Sequence, residues 1–313
     1  MTLRAYICSE NSKYMATFKN EFSWSLSRNE LFHYCPRKYF YNYYEYWDGW
    51  LWNASPLKKK IYQLKKMSAL DMWLGDVVHR CIKYSILHKD KEAPYLLESL
   101  QKRLAHDLAI SYQNAQGPIN PKSLLLIEHY KGLPIDQDYW FEKGATLLTT
   151  YFQSKWYEIL KSIPANQFIY VDADDIKSMQ FDVQGLKVYA IPDLCFYDQE
   201  GQLILIDWKT GRERHTELSA QLKIYALRLQ LVDGIDTKTT NIQAYTHYIQ
   251  TGTDVGRNIA ASDIDEAYAI IDAGKQQMLA LLENEAENKP KPMDCFEKTD
   301  DTSKCELCPF QEI

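Results

Sequence analysis

Ile191-Pro192-Asp193 and Ile206-Asp207-Trp208-Lys209-Thr210-Gly211 stand near the middle of the chain, with thirteen residues between the two aspartates. Leu203-Ile204-Leu205-Ile206 is a short apolar run of the kind that forms a buried strand, and it ends in the charged pair Asp207-x-Lys209. Side chains two apart on a strand share a face, so Asp207 and Lys209 project together from a strand end with buried backbone behind it. Asp193 and Asp207 are hard oxygen donors suited to a divalent cation such as Mg2+ or Mn2+. A lysine beside them can orient a water or offset charge building on a phosphate. Alone the pattern is weak, because a surface ion pair would account for Asp207 and Lys209 equally well.

Around this centre, Gln167 to Val171, Lys187 to Ile191 and Leu203 to Asp207 are short, β-rich and divided by Gly185 and Gly201, which predicts a strand meander. Glu217 to Leu231 reads as a helix, Gln243 to Ile249 as a strand and Ala261 to about Glu287 as a long helix. On the first of these helices Gln221 and Tyr225 lie four apart and share a face, so both can reach back toward Asp207. Toward the N-terminus, Ser25 to Tyr46 reads as one aromatic-rich helix, capped near Ser27 with Glu30 completing a capping box. Ala69 to Leu87 reads as a second helix, with His79 on a side otherwise apolar; a lone histidine there is more often core than ligand. Pro94 to about Gln113 and Asp136 to about Ser162 are further helices. The order predicts an α/β core, a mixed sheet flanked by helices, with an N-terminal helical elaboration and a cysteine-rich tail.

A chain of 313 residues, 46% hydrophobic and 25% charged, is ordinary for a soluble globular protein. No apolar run reaches membrane-spanning length and no export signal is evident, so a cytoplasmic protein with no membrane contact is expected. Seven cysteines argue against a disulfide framework. The net charge of −6 carries no global basic signature, so nucleic-acid contact must be local. Between Gly49 and Leu70, Lys58, Lys59, Lys60, Lys65 and Lys66 stand without an acid, with Trp47, Trp50, Trp52 and Tyr62 among or beside them. Cations for phosphates next to rings for bases suit a single-strand channel; the charge run alone favours a solvated loop.

Cys305-Glu306-Leu307-Cys308-Pro309 closes the chain, with Cys295 before it and Cys35-Pro36 near the start. A Cys-x-x-Cys-Pro near a terminus is a strong metal or cluster signal, and four thiolates suit a [4Fe–4S] cluster or a structural zinc. Cys8, Cys81 and Cys195 have no partner at such spacing and read as ordinary buried or half-buried residues.

Six motifs occur in order: Trp24-Ser25-x-Ser27-Arg28, Cys35-Pro36-Arg37-Lys38-Tyr39, His79 in Gly75-Asp76-Val77-Val78-His79, Pro192-Asp193, Asp207-x-Lys209 and Gln221-x-x-x-Tyr225. Together they resemble the RecB-like branch of the PD-(D/E)XK nucleases, which bacterial and phage exonucleases and CRISPR-associated adaptation nucleases share. The resemblance runs from about Ser23 to the C-terminus and implies a restriction-endonuclease-like core. It implies one domain over 1–313, with a helical insertion at 85–165, a catalytic α/β core at 166–287, and 288–313 plus the Cys35 region as a staple.

By the same resemblance, His79, Asp193, Asp207 and the Trp208 carbonyl would bind Mg2+ or Mn2+, and Lys209 would be the catalytic lysine. Gln221 and Tyr225 would position the site or the strand. Arg28 and Arg37 would join Lys58, Lys59, Lys60, Trp50 and Trp52 as nucleic-acid contacts. Cys35, Cys295, Cys305 and Cys308 would hold a [4Fe–4S] cluster, zinc being the alternative. The implied activity is a metal-dependent deoxyribonuclease, an exonuclease on single strands or DNA ends, in repair, recombination or phage- and CRISPR-related processing, with DNA and a helicase or recombinase as partners. The competing expectation is a nucleic-acid-binding subunit with an idle site, which the intact set of His79, Asp193, Asp207 and Lys209 argues against.

Overall fold

The computed structural model describes residues 19–90, 92–172, 180–213 and 217–313. Cys8 lies outside the described residues. The strands run in chain order as β1 (Trp24–Ser25), β2 (Phe168–Val171), β3 (Gln180–Val183), β4 (Leu186–Tyr189), β5 (Leu194–Tyr197), β6 (Leu203–Lys209), β7 (Ile242–Tyr248) and β8 (Thr253–Asn258). The main sheet has the order β2-β5-β6-β7-β8. Its central strand β6 lies antiparallel to β5 and parallel to β7. A parallel pair needs a crossover, and the helix Ala220–Val232 lies between β6 and β7 in sequence.

β6 is buried along its length except at Lys209, which explains its unbroken Leu-Ile-Leu-Ile start: a strand covered on both faces reads as a continuous apolar run. Leu203 and Leu205 face one core with Leu222, Ala226 and Leu229 of the crossover helix and Ile264, Ala267 and Ile271 of the helix Ala261–Leu279. Ile204, Ile206 and Trp208 face the other, under the helices Leu70–Leu87 and Gln137–Gln153. The expected mixed α/β layering, a mixed multistranded sheet between helices, is what the chain forms, consistent with a restriction-endonuclease-like fold.

Several local expectations need correction. β4 does not join a meander with β2 and β6; it pairs antiparallel with β3 and parallel with β1 in a separate sheet. β5 is a strand the sequence reading passed over, because its buried Leu194, Cys195 and Phe196 show no alternation. β8 pairs with β7 at the sheet edge and was likewise passed over. The aromatic N-terminal helix is three pieces, Leu26–Tyr34, Pro36–Phe40 and a π-helical turn Tyr41–Glu45. Cys35 is extended between the first two, as a residue preceding proline prefers. The cap is Ser25, whose Oγ accepts the Arg28 N–H at 3.1 Å, so Ser27 and Glu30 form no capping box there.

The helical stretch 136–162 divides at Ser154, which caps Lys155–Ser162. The last long helix stops at Leu279, and 282–290 forms a small hairpin. The lysine-rich stretch is not a loop. It is the helix Pro56–Lys65, capped by Ser55 and anchored by buried Ile61 and Leu64.

The tail packs back on the N-terminal pieces. Phe296 is buried against Tyr39, Phe40 and Tyr44, and Phe310 stacks on Tyr41 with ring centroids 5.1 Å apart. Arg37 Nε donates to the Phe296 carbonyl at 2.9 Å. No helix among the described residues is long and apolar enough to cross a membrane.

Candidate active site

Asp193 directly precedes β5 and Asp207 lies two residues before the end of β6, and a side-chain hydrogen bond ties them at that point: the Trp208 N–H donates to Asp193 Oδ2 at 2.9 Å. The Asp193 carbonyl accepts the Asp172 N–H at 2.8 Å, fixing the same corner from β2. Asp207 is fully buried. Lys209 Nζ donates to Asp207 Oδ1 at 3.2 Å and to Gln221 Oε1 at 2.7 Å. Gln221 Nε2 in turn donates to the Tyr225 hydroxyl. Gln221 and Tyr225 are aimed by the crossover helix, whose start is fixed by the Ser219 side chain accepting from Leu222 N. His79 arrives from the helix covering the opposite face, its Nδ1 3.8 Å from Asp193 Oδ2.

The electrostatics follow from burial. Asp207 is pushed up to about 7, first by loss of water and then by the neighbouring Asp193 carboxylate, with Lys209 pulling the other way. Asp193 is pushed up to about 6, chiefly by burial, while the Trp208 N–H and Lys209 resist. Burial lowers His79 below its ordinary value, so its ring is neutral at neutral pH, the state a metal ligand needs. Burial also pulls on Lys209, but Asp207 outweighs it, helped by Asp193 and Glu30, and the lysine stays firmly charged.

Two enclosed carboxylates sharing a corner with a neutral imidazole make a poor arrangement until a cation arrives. Asp207 Oδ2 adds to this: it lies 2.9 Å from the Lys209 ammonium, yet accepts no hydrogen bond among the described residues. Oxygen donors with one imidazole suit Mg2+ or Mn2+, the imidazole favouring the transition metal. The donor set therefore fits a divalent cation. His79, Asp193 and Asp207 converge without closing: no three His, Cys, Asp or Glu side chains among the described residues surround one point as a bound ion requires.

Sequence reasoning missed Glu30 as part of this neighbourhood. It lines a cavity of about 170 Å³ with Ser25, Ser27, Tyr189, Gln221 and Tyr225, and its charge reaches Lys209. Its i+3 spacing from Ser27 had suggested only a cap.

The predicted nucleic-acid contacts divide. Arg28 is 3% exposed; it donates to the hydroxyls of Tyr39 and Tyr44 and lies over the rings of Phe22, Tyr39 and Tyr43. It is a core cation, and the expectation that it meets DNA is corrected by that burial. Arg37 is turned inward to Phe296 and Asp294, binding the tail to the N-terminal helices. Lys58, Lys59 and Lys60 are half-buried on their helix and reach the Trp47 carbonyl, the Trp52 carbonyl and Glu312. Trp50 packs edge-on to Trp47, and Trp52 is 89% exposed. None of these five lines either cavity beside Lys209.

Cys35 caps the helix Leu26–Tyr34 that carries Glu30, and its Sγ accepts the Lys38 N–H at 3.4 Å. Cys35 and Cys305 are close enough to Cys308 to help burial raise its thiol, and all three influence Tyr34. Cys295 is exposed. Cys81 and Cys195 are buried, as expected.

A family model described as the PD-(D/E)XK nuclease superfamily matches residues 23–313. No curated protein matches the chain.

Proposed function

The chain belongs to the PD-(D/E)XK nuclease superfamily, a family of metal-dependent nucleases, and from that premise we propose that it is a RecB-like deoxyribonuclease that hydrolyses phosphodiester bonds in single strands or at DNA ends. The observation that carries this reading is the corner where buried Asp207 and Asp193 meet under Lys209.

Asp193, Asp207, His79 and the Trp208 carbonyl would hold Mg2+ or Mn2+. A divalent ion in this position supplies Lewis acidity toward the phosphate and an acidified water. The chain's own residues do the rest. Asp193, pinned by the Trp208 N–H, keeps both carboxylates on one corner. Lys209 holds its ammonium where negative charge develops on the phosphate, and Gln221 fixes it there through a 2.7 Å hydrogen bond. Tyr225, buried and kept protonated by burial and by both aspartates, orients the Gln221 amide. Substitution of Asp207 by Ala tests the reading: cleavage of end-labelled single-stranded DNA in Mn2+ should disappear, and wild-type cleavage by that variant would refute it.

A second centre is proposed at the cysteines. Cys35, Cys305 and Cys308, with Cys295 from the same tail, would hold a [4Fe–4S] cluster, zinc being the alternative. Support comes from the shared neighbourhood of three thiols and from the docking of the tail at Arg37 and Phe296, beside Cys35. Its role would be to fasten the tail, and no step of hydrolysis passes through it.

A further inference from the structure

We infer that the cleft between the helices Leu70–Leu87 and Gln137–Gln153 receives the continuation of the nucleic-acid chain, and that it takes a single strand. Tyr139 would stack on a base, and Lys143 and Arg212 would meet phosphates. This inference rests on the nuclease reading above.

The cleft has a volume of about 730 Å³ and is lined by Gly75, Tyr139, Lys143, Thr210, Arg212 and Gln250, among others. Its position is what matters. Thr210 is the residue after Lys209, and Gly75 lies one helical turn before His79 on the same face. A phosphodiester held at the carboxylates therefore has this cleft at its side. Gly75 eases the junction: a Cβ built there would meet Thr210 Oγ1 at 3.0 Å, a tight contact. A glycine inside a helix is unfavourable in itself, and here it lets the helix lie directly against the end of the catalytic strand.

The walls carry the chemistry of strand binding. Tyr139 is 56% exposed although it is a large ring. Lys143 pairs with Asp71 and lies 4.5 Å from the Trp140 ring centroid. Asp71 is 70% exposed and Lys143 33%, so the pair is partly screened by water and a phosphate can compete for the lysine. Arg212 is exposed at the cleft mouth with Glu213 beside it. The two acids, Asp71 and Glu213, offset the two cations, which makes the cleft a place to seat a chain by stacking and local phosphate contacts. It is not a broad basic surface for a duplex.

Size favours the same occupant. Pockets of about 300–1,000 Å³ hold molecules of drug or nucleotide size, whereas a duplex is too wide to enter between two helices. The cleft also explains a use for the helical insertion: its helix Gln137–Gln153 forms the wall that bears Tyr139 and Lys143.

The test uses the full-length protein without added divalent metal, so that binding is read apart from cleavage. Fluorescence anisotropy with a labelled single-stranded oligo(dT) and with a hairpin duplex would be compared for wild type, Tyr139→Ala, Lys143→Gln and Tyr112→Ala. Tyr112 is exposed to the same 56% but lies outside the cleft. The expected result is single-strand binding weakened about ten-fold by Tyr139→Ala and unchanged by Tyr112→Ala. Lys143→Gln should reduce the salt-dependence slope by about one. Unaltered single-strand binding in both cleft variants would overturn the inference, as would duplex binding of equal strength that depends on the same residues. The nuclease reading fails separately: Asp207→Ala would then cleave, whatever the cleft variants bind.

Discussion

The Trp208 amide donates to Asp193 Oδ2 at 2.9 Å, so the carboxylate that directly precedes β5 is held by the backbone of the strand that carries the other carboxylate. One acid is positioned by the peptide bond adjacent to the second. Two substitutions at Asp193 therefore have different consequences. Asp193→Asn keeps an oxygen to accept the Trp208 N–H and removes a buried charge, so the fold should melt no lower than wild type while Mn2+ binding is lost. Asp193→Ala leaves a buried N–H without its partner, which costs about 1–3 kcal/mol. Thermal melts of the metal-free proteins check the difference.

The same burial sets a pH dependence. Asp193 and Asp207 are raised to about 6 and about 7 in the folded chain, above the ordinary carboxyl value of 3.8. The folded protein thus holds protons that the unfolded chain has released, and this contribution to stability is full below about pH 4 and lost as pH rises through about 7. A divalent cation replaces those protons. Mn2+ should therefore raise the melting temperature strongly at about pH 8 and hardly at all at about pH 5. Equal stabilisation at both would show that the ion binds elsewhere.

Gln221 touches Lys209 and Tyr225 and neither aspartate by hydrogen bond, so it acts as a positioning residue. Gln221→Leu should lower the single-turnover cleavage rate by about 10- to 100-fold, a typical share for a positioned polar group. Mn2+ affinity should remain unchanged. Gln221→Glu, which can still accept from Lys209, should recover part of the rate. Loss of metal binding in the leucine variant would instead make Gln221 part of the ion site.

Arg28 and Phe296 should behave as structural residues. Arg28→Ala removes a buried cation from three rings and two hydroxyls, and Phe296→Ala opens a cavity among Tyr39, Phe40 and Tyr44. The phenylalanine change should cost about 3–5 kcal/mol, read as a lower urea midpoint. For the arginine variant, any fall in DNA affinity should track its loss of folded protein.

For the cysteines, an anaerobic preparation should be brown with about four irons per chain, and Cys308→Ser should bleach it. A colourless protein with one zinc would select the alternative.

The strand β6 was legible because burial on both faces writes an apolar run that ends abruptly at Asp207 and Lys209. The facing pair Gln221 and Tyr225 was legible because four-residue spacing is a helix-face signal. β5 was not, since a buried strand of four residues leaves no period to read. Nor was the pairing of β4 with β1, a contact between Trp24 and Val188 that no local pattern encodes. Arg28 misled for a related reason: a cation in a motif looks solvent-facing until the rings that enclose it come together from other segments. Tyr139 and Lys143 sit on a helix whose sequence shows only amphipathic spacing, and their place beside Thr210 follows from packing alone.

The most direct measurement is Mn2+ binding by calorimetry alongside cleavage of end-labelled single-stranded DNA, on wild type, Asp207→Ala and His79→Ala. The account predicts that wild type binds Mn2+ at the carboxylate corner and cleaves, while both folded variants lose metal affinity and activity together. Wild-type binding and cleavage by either variant would contradict it.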